Sequence, residues 1–137
     1  MLDMKKALTK LMKAPIVVEQ GTSGIWTYRK WSDGTAECWC KITKTNFDIT
    51  KAWGSMYISY SGTSGEFYAN FPTNLFIEAP VETATAISSG SMFPFMAGIS
   101  GGTTTKDHTA HYLMGRGTSM ASVGSATLCI YAVGKWK

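Results

Sequence analysis

A chain of 137 residues suffices for one domain with a real core and is too short for two comfortable ones. Only 16% of its residues are charged, and Gly, Ser and Thr are abundant, which fits an all-β domain with many turns and excludes a helical bundle. The formal net charge of +4 sits at the ends, on Lys5, Lys6, Lys10 and Lys13 in front and Lys135 and Lys137 behind, so the nearly neutral body lacks the basic face that nucleic-acid binding requires.

The first predicted element is an amphipathic helix over residues 1–14, ahead of a β-domain over residues 15–137. Met1, Met4, Leu8 and Leu11 fall at a/d spacing with lysines on the other faces, and Ala14-Pro15 ends the pattern. Two readings share this pattern. The helix either lies on its own domain or forms the last turns of a stalk joined to other copies, since so short a repeat holds no coiled coil alone. The same segment has no apolar run long enough for a signal peptide or a membrane span, and the expectation is synthesis in a reducing cytoplasm.

After Pro15, Ile16 to Val18 reads as a short strand and Gly21 to Gly24 as a loop. From Gly24 to Ile42, aromatic and β-branched residues flank Asp33-Gly34, the signature of a β-hairpin. A two-residue turn pairs Lys30 with Glu37 and Tyr28 with Trp39, each pair contributing roughly 0.2–1 kcal/mol. A three-residue loop with a bulge at Gly34 instead pairs Arg29 with Glu37. Both registers leave tryptophan on both faces, and a single-core sandwich cannot bury both unless a neighbouring subunit or a ligand covers the second.

Further strands are predicted at Met56–Tyr60 and Glu66–Asn70, with Ser61 to Gly65 as the loop between them and Phe71-Pro72 as a break. Val81 to Ile87 alternates at period two, Phe93 to Ile99 leads into a Gly101-Gly102 loop, and His111–Gly115 and Leu128–Val133 complete the set. Eight or nine short strands with frequent turns point to an all-β, antiparallel sandwich or jelly roll.

Cys38, Cys40 and Cys129 give neither a disulfide framework nor a zinc ribbon, and read as buried thiols. Carboxylates are scarce, and no spacing sets up the pair a glycosidase needs. Asp107-His108 lacks the nucleophile elbow that would complete a triad. His108 and His111 point to opposite faces if they lie on a strand, and chelate together only in a loop, so no metal and no cofactor is expected. Of the five tryptophans, Trp53 beside Gly54 is the one expected to be exposed. Aromatics of this kind serve either packing or the stacking of sugar rings.

The run Gly21 to Trp39, with Trp26, Tyr28, Lys30, Trp31, Gly34, Glu37 and Trp39, resembles a W-x-Y-x-K-W-x-x-G-x-x-E-x-W-G signature. That signature belongs to tail-fibre and receptor-binding tip domains of bacteriophages and prophages of Gram-positive bacteria. Glu78-Ala79-Pro80 to Ala86 and the ending Ile130-Tyr131-Ala132-Val133-Gly134-Lys135-Trp136-Lys137 look like the usual close of such domains. The likeness runs from Val17 to Lys137, with Cys40 standing where the pattern has Gly.

The resemblance implies a β-sandwich tip, a homotrimer on a coiled-coil stalk, that joins other tail proteins in the virion after assembly in the bacterial cytoplasm. It implies attachment to a bacterial surface saccharide without cleavage. Candidate saccharide contacts are Trp53, Tyr57, Tyr68, His108, His111, Tyr112 and Arg116, aromatic or hydrogen-bonding groups in or beside predicted loops. Candidate subunit contacts are Met1, Met4, Leu8, Leu11, Trp26 and Trp39. Competing readings are a purely structural virion component, such as a decoration or collar protein, and a glycan depolymerase using a carboxylate such as Asp48 or Glu66. No nucleic acid and no membrane is expected as a partner.

Overall fold

A computed structural model of the chain describes residues 3–60, 63–88, 90–96 and 102–137. The expectations for Met1, Ser61-Gly62, Ala97-Gly98-Ile99 and Gly101 lie outside the described residues. Helix α1 (Met4–Met12) is capped by Asp3, whose Oδ1 accepts the backbone N–H groups of Lys5 and Lys6, both at 3.1 Å. Its apolar stripe faces away from the rest of the chain, with Met4 71%, Leu8 58% and Leu11 72% exposed. The helix therefore does not lie on its own domain.

Strands β1 (Val17–Ser23), β2 (Trp26–Trp31) and β3 (Thr35–Lys44) form an antiparallel meander. Gly21 to Ser23, expected as loop, belong to β1, and the turn tightens to Gly24-Ile25, with Gly24 at φ +58°. At the next turn the bulged register is the one adopted: Arg29 pairs with Glu37 and Thr27 with Trp39, while Lys30 faces Ala36. Gly34 supplies the φ of +95° that the three-residue loop demands, and Asp33 Oδ1 accepts the Thr35 N–H at 2.9 Å. Lys30, released from Glu37, pairs with Glu19 at 3.1 Å instead.

The remaining strands are β4 (Phe47–Trp53), β5 (Met56–Ser59), β6 (Glu66–Phe67), β7 (Val81–Ser88), β8 (Phe93–Met96), β9 (Tyr112–Arg116), β10 (Met120–Val123) and β11 (Ala126–Lys135). One sheet has the order β1-β2-β3-β11-β7 and the other β10-β4-β5-β9-β6, with β8 also paired to β9, all antiparallel. The all-β antiparallel class expected from composition is the one found. Strands β4 and β10 were not anticipated.

Even-numbered residues of the two central strands of the first sheet point inward: Ala36, Cys38 and Cys40 on β3, Leu128, Ile130 and Ala132 on β11. They meet Phe47, Ile49, Phe67, Met114 and Val123 of the second sheet in one core. Small residues on β3 leave room for the rings opposite, each fully buried Phe stabilising by roughly 1.5–3 kcal/mol. Cys40, where the resemblance has Gly, sits buried in mid-strand opposite Ile130. Burial pushes both inner thiols up, Cys40 to about 12.

Candidate functional site

Odd-numbered residues of β2, β3, β7 and β11 face outward. Trp39 pairs with Thr27 on one side and Tyr131 on the other, and Tyr131 with Thr83, so an aromatic row crosses the sheet. The Arg29 guanidinium lies 4.9 Å from the Trp39 ring centroid and 5.7 Å from that of Trp31. It is held there by Glu37 at 2.8 Å, and Glu37 also accepts the Tyr131 hydroxyl at 2.5 Å. That hydrogen bond, followed by burial, pushes Tyr131 up to about 12. Below Trp39 and Tyr131 the face opens into a groove of about 640 Å³ whose lining includes Ile25, Lys41, Thr83, Thr85 and Cys129. Ile25 in that lining is more than half exposed, as are Val81 and Ile87 on β7.

A second site forms where residues 66–74 meet residues 102–111. The segment after β6 runs antiparallel to the one before β9: Asn70 bridges His108, Thr109 donates its N–H to the Ala69 carbonyl, and Phe71 N–H reaches the Asp107 carbonyl at 2.9 Å. Tyr68 lies flat on His111, ring centroids 4.1 Å apart and planes 4° off parallel. His111 Nδ1 is 2.7 Å from Glu66 Oε1, and the His108 ring meets His111 edge-on at 5.8 Å. His108 lies in the turn fixed by Thr105, whose hydroxyl accepts the N–H groups of Asp107 and His108. Both histidines thus fall on one side, as the loop alternative required. Among the described residues no group of three or more His, Cys, Asp or Glu side chains could hold a metal ion.

The third surface lies at the second sheet. Trp53 ends β4 at a turn where Gly54 has φ +60°, is 57% exposed, and stacks on Phe95 with centroids 5.3 Å apart and planes 9° off parallel.

The predicted contacts therefore divide. Tyr68, His108 and His111 converge, Tyr57 and Arg116 are cross-strand partners, and Trp53 stands with Phe95. Tyr112 is corrected: it is 3% exposed in the core, because β9 is covered on both faces, and burial followed by the Glu82 charge pushes its hydroxyl far up. Trp26 is corrected as well. It is 3% exposed, packs on Phe71 at 5.3 Å and donates its indole N–H to the Asn70 carbonyl at 2.7 Å, so it meets no other subunit. Tyr131 was missed, although its odd position in Leu128–Val133 sets it opposite the apolar face. Asn70 and Asn74 were missed too, within the turn-rich Asn-Phe-Pro-Thr-Asn run.

The molecule is an antiparallel sandwich with one aromatic outer face, a ring-stacked corner and an unattached amphipathic helix. Its fold is that of tail-fibre structures. It is similar to an N-truncated R1-type pyocin tail fibre with a TM-score of 0.56 and 9% identity, over 97% of this chain and 98% of that one. It is also similar to a fragment of the Pseudomonas aeruginosa R1 pyocin fibre comprising C-terminal residues 323–701, with a TM-score of 0.56 and 11% identity, where it spans 32% of that chain. No protein-family model matches the sequence, and no curated protein does.

Proposed function

We propose that this chain is the attachment tip of a bacteriophage-type tail fibre, a homotrimer that adheres to saccharide on a bacterial surface without cutting it. The observation that carries the reading is the correspondence with a pyocin tail fibre along nearly the full length of both chains. Such a tip works in the virion tail alongside other tail proteins, after assembly in the bacterial cytoplasm.

The trimer reading draws support from two open apolar surfaces, the Met4-Leu8-Leu11 stripe and the outer face around Trp39. Exposed apolar surface on this scale marks protein contact, and symmetric copies present identical surfaces to one another. Three weak saccharide sites on one stalk then gain avidity without new contacts.

Attachment rather than cleavage is supported by what the acids already do. Asp48 accepts the Ser122 N–H at 2.7 Å, Glu66 holds His111, and Glu82 is buried. A cleaving site needs two carboxyl groups free to flank one bond.

The test combines light scattering with binding to bacterial cells and to polysaccharide extracted from them. A trimer that adheres is expected. A monomer at micromolar concentration removes the trimer, and no adhesion favours a purely structural virion component. Release of reducing sugar, lost on substituting Asp48 or Glu66, favours a depolymerase.

A further inference from the structure

We infer that the corner between residues 66–74 and 102–111 is a subsite for a neutral sugar, with Tyr68 as its stacking platform and Asn70, Asn74 and Asp107 reading hydroxyls. The inference rests on the attachment reading and gives it a place and a ligand class.

Tyr68 meets the first requirement. One face of its ring is covered by His111, which Glu66 pins, and the side chain is still 50% exposed, so the other face is open and held in one orientation. The C–H face of a pyranose stacks on such a ring, and a platform already fixed loses little freedom on binding.

Asn70 follows two residues along the same extended segment, about 7 Å away. There the surface dips into a cleft of about 280 Å³ lined by Asn70, Phe71, Pro72, Thr73, Asn74 and Asp107. That volume suits one sugar ring, close to the lower end of ligand pockets at about 300 Å³. Asn74 is held at φ +57°, a conformation open to Asn and Gly and disfavoured for most other residues.

Charge decides the class. Asp107 carries the one charged side chain on this lining, and Lys106 is already paired with it at 2.9 Å. An acidic sugar would meet a carboxylate there, whereas neutral hydroxyls meet an acceptor and two amides able to donate and accept. The groove under Trp39 is different, since its lining includes Ile25, Cys129 and Ile130 beside the two aromatic rings and suits protein contact better.

The test is amide NMR of the assembled protein titrated with the methyl glycosides of glucose, galactose and mannose, with N-acetylglucosamine, and with glucuronate as the acidic comparison. At least one neutral sugar is expected to move the amides of Tyr68, Asn70, Asn74 and Asp107 more than glucuronate does. Tyr68→Ala is expected to weaken that binding about tenfold. Asn74→Gly, which keeps the backbone conformation and strips the amide, should weaken it with the fold intact. Shifts that map to Trp39 and Tyr131, stronger binding of glucuronate, undiminished binding in both variants, or no shift with any sugar would each overturn the inference. Wild-type adhesion to bacteria that both variants retain sinks the corner alone, while absence of wild-type adhesion sinks the attachment reading with it.

Discussion

The indole N–H of Trp136 donates to the carbonyl oxygen of Trp31 at 2.9 Å. Beside it, the Trp136 backbone N–H reaches the Gly34 carbonyl at 2.9 Å, and the Lys30 ammonium lies 5.4 Å from the centroid of its ring. The hairpin and the Gly-Lys-Trp-Lys ending, far apart in sequence, are one structural unit. The turn supplies the acceptors and the ending the donors: the Trp31 carbonyl, which also takes the Gly34 N–H at 3.1 Å, and the Gly34 carbonyl both receive a Trp136 N–H.

Replacing Trp136 with Ala removes the indole donor and leaves the backbone N–H to Gly34 in place. The expected loss is about 2–3 kcal/mol, from one indole hydrogen bond, the cation–π contact and lost packing. Urea denaturation should show a lower midpoint at an unchanged slope.

Glu82 is the buried carboxylate that ties β7 to the loop before β9. Its Oε1 accepts the Ala110 N–H at 2.6 Å and the Thr104 hydroxyl. Glu82→Ala leaves a buried N–H without an acceptor and is expected to cost about 1–3 kcal/mol. Glu82→Gln keeps an acceptor there and should cost less, as thermal unfolding of the two variants would reveal.

Alkaline pH should destabilise the fold. Cys40 is raised from 9.0 to about 12 by burial, and Tyr131 from 10.0 to about 12 by its bond to Glu37. A group with a raised folded value stabilises fully below its unfolded value, because above it the unfolded chain releases the proton first. Stability is therefore expected to fall from about pH 9 toward pH 12, the range set by those shifts. Melting temperatures across that range should decline less steeply for Cys40→Ala and Tyr131→Phe.

The sequence made the hairpin legible because Asp33-Gly34 leaves only two registers, and Asp33, which does not take the positive φ that a two-residue turn needs, decides between them. It made β7 legible because Val81 to Ile87 alternates and only one of its faces is covered. Tyr112 misled because Tyr112-Leu113-Met114-Gly115 is buried throughout: Tyr112 and Met114 enter the core between the sheets while Ile58 and Phe95 pack on Leu113, and no alternation survives. Strand β10 left no signal, being four residues long with Ser122 at φ +52°. The corner was half legible. Its aromatic and imidazole groups stood out by type, but their convergence depends on the Thr105 turn and on pairing between segments distant in sequence.

The helix and the sheet face make a joint prediction about assembly. If the proposed trimer forms through this stripe, Leu8→Asp with Leu11→Asp should leave a monomer by light scattering while the sandwich keeps its melting temperature, since both side chains are exposed. Cys129, partly exposed in the single chain, should resist a thiol reagent in the assembled protein and react after dissociation. Rapid labelling of Cys129 in an intact trimer would move the subunit contact away from the Trp39 face.

Strand β11 occupies the middle of the first sheet, between β3 and β7, although it follows both in sequence. During synthesis the ribosome therefore releases the flanking strands before the one that joins them. Until residues 126–135 emerge, the first sheet is limited to the β1-β2-β3 meander, with β3 open at its edge and β7 without the strand it pairs with. Completion of the sandwich is thereby timed to the end of this segment's translation, and the outer aromatic face, which needs Tyr131 of β11 beside Trp39 of β3, is finished at the same moment.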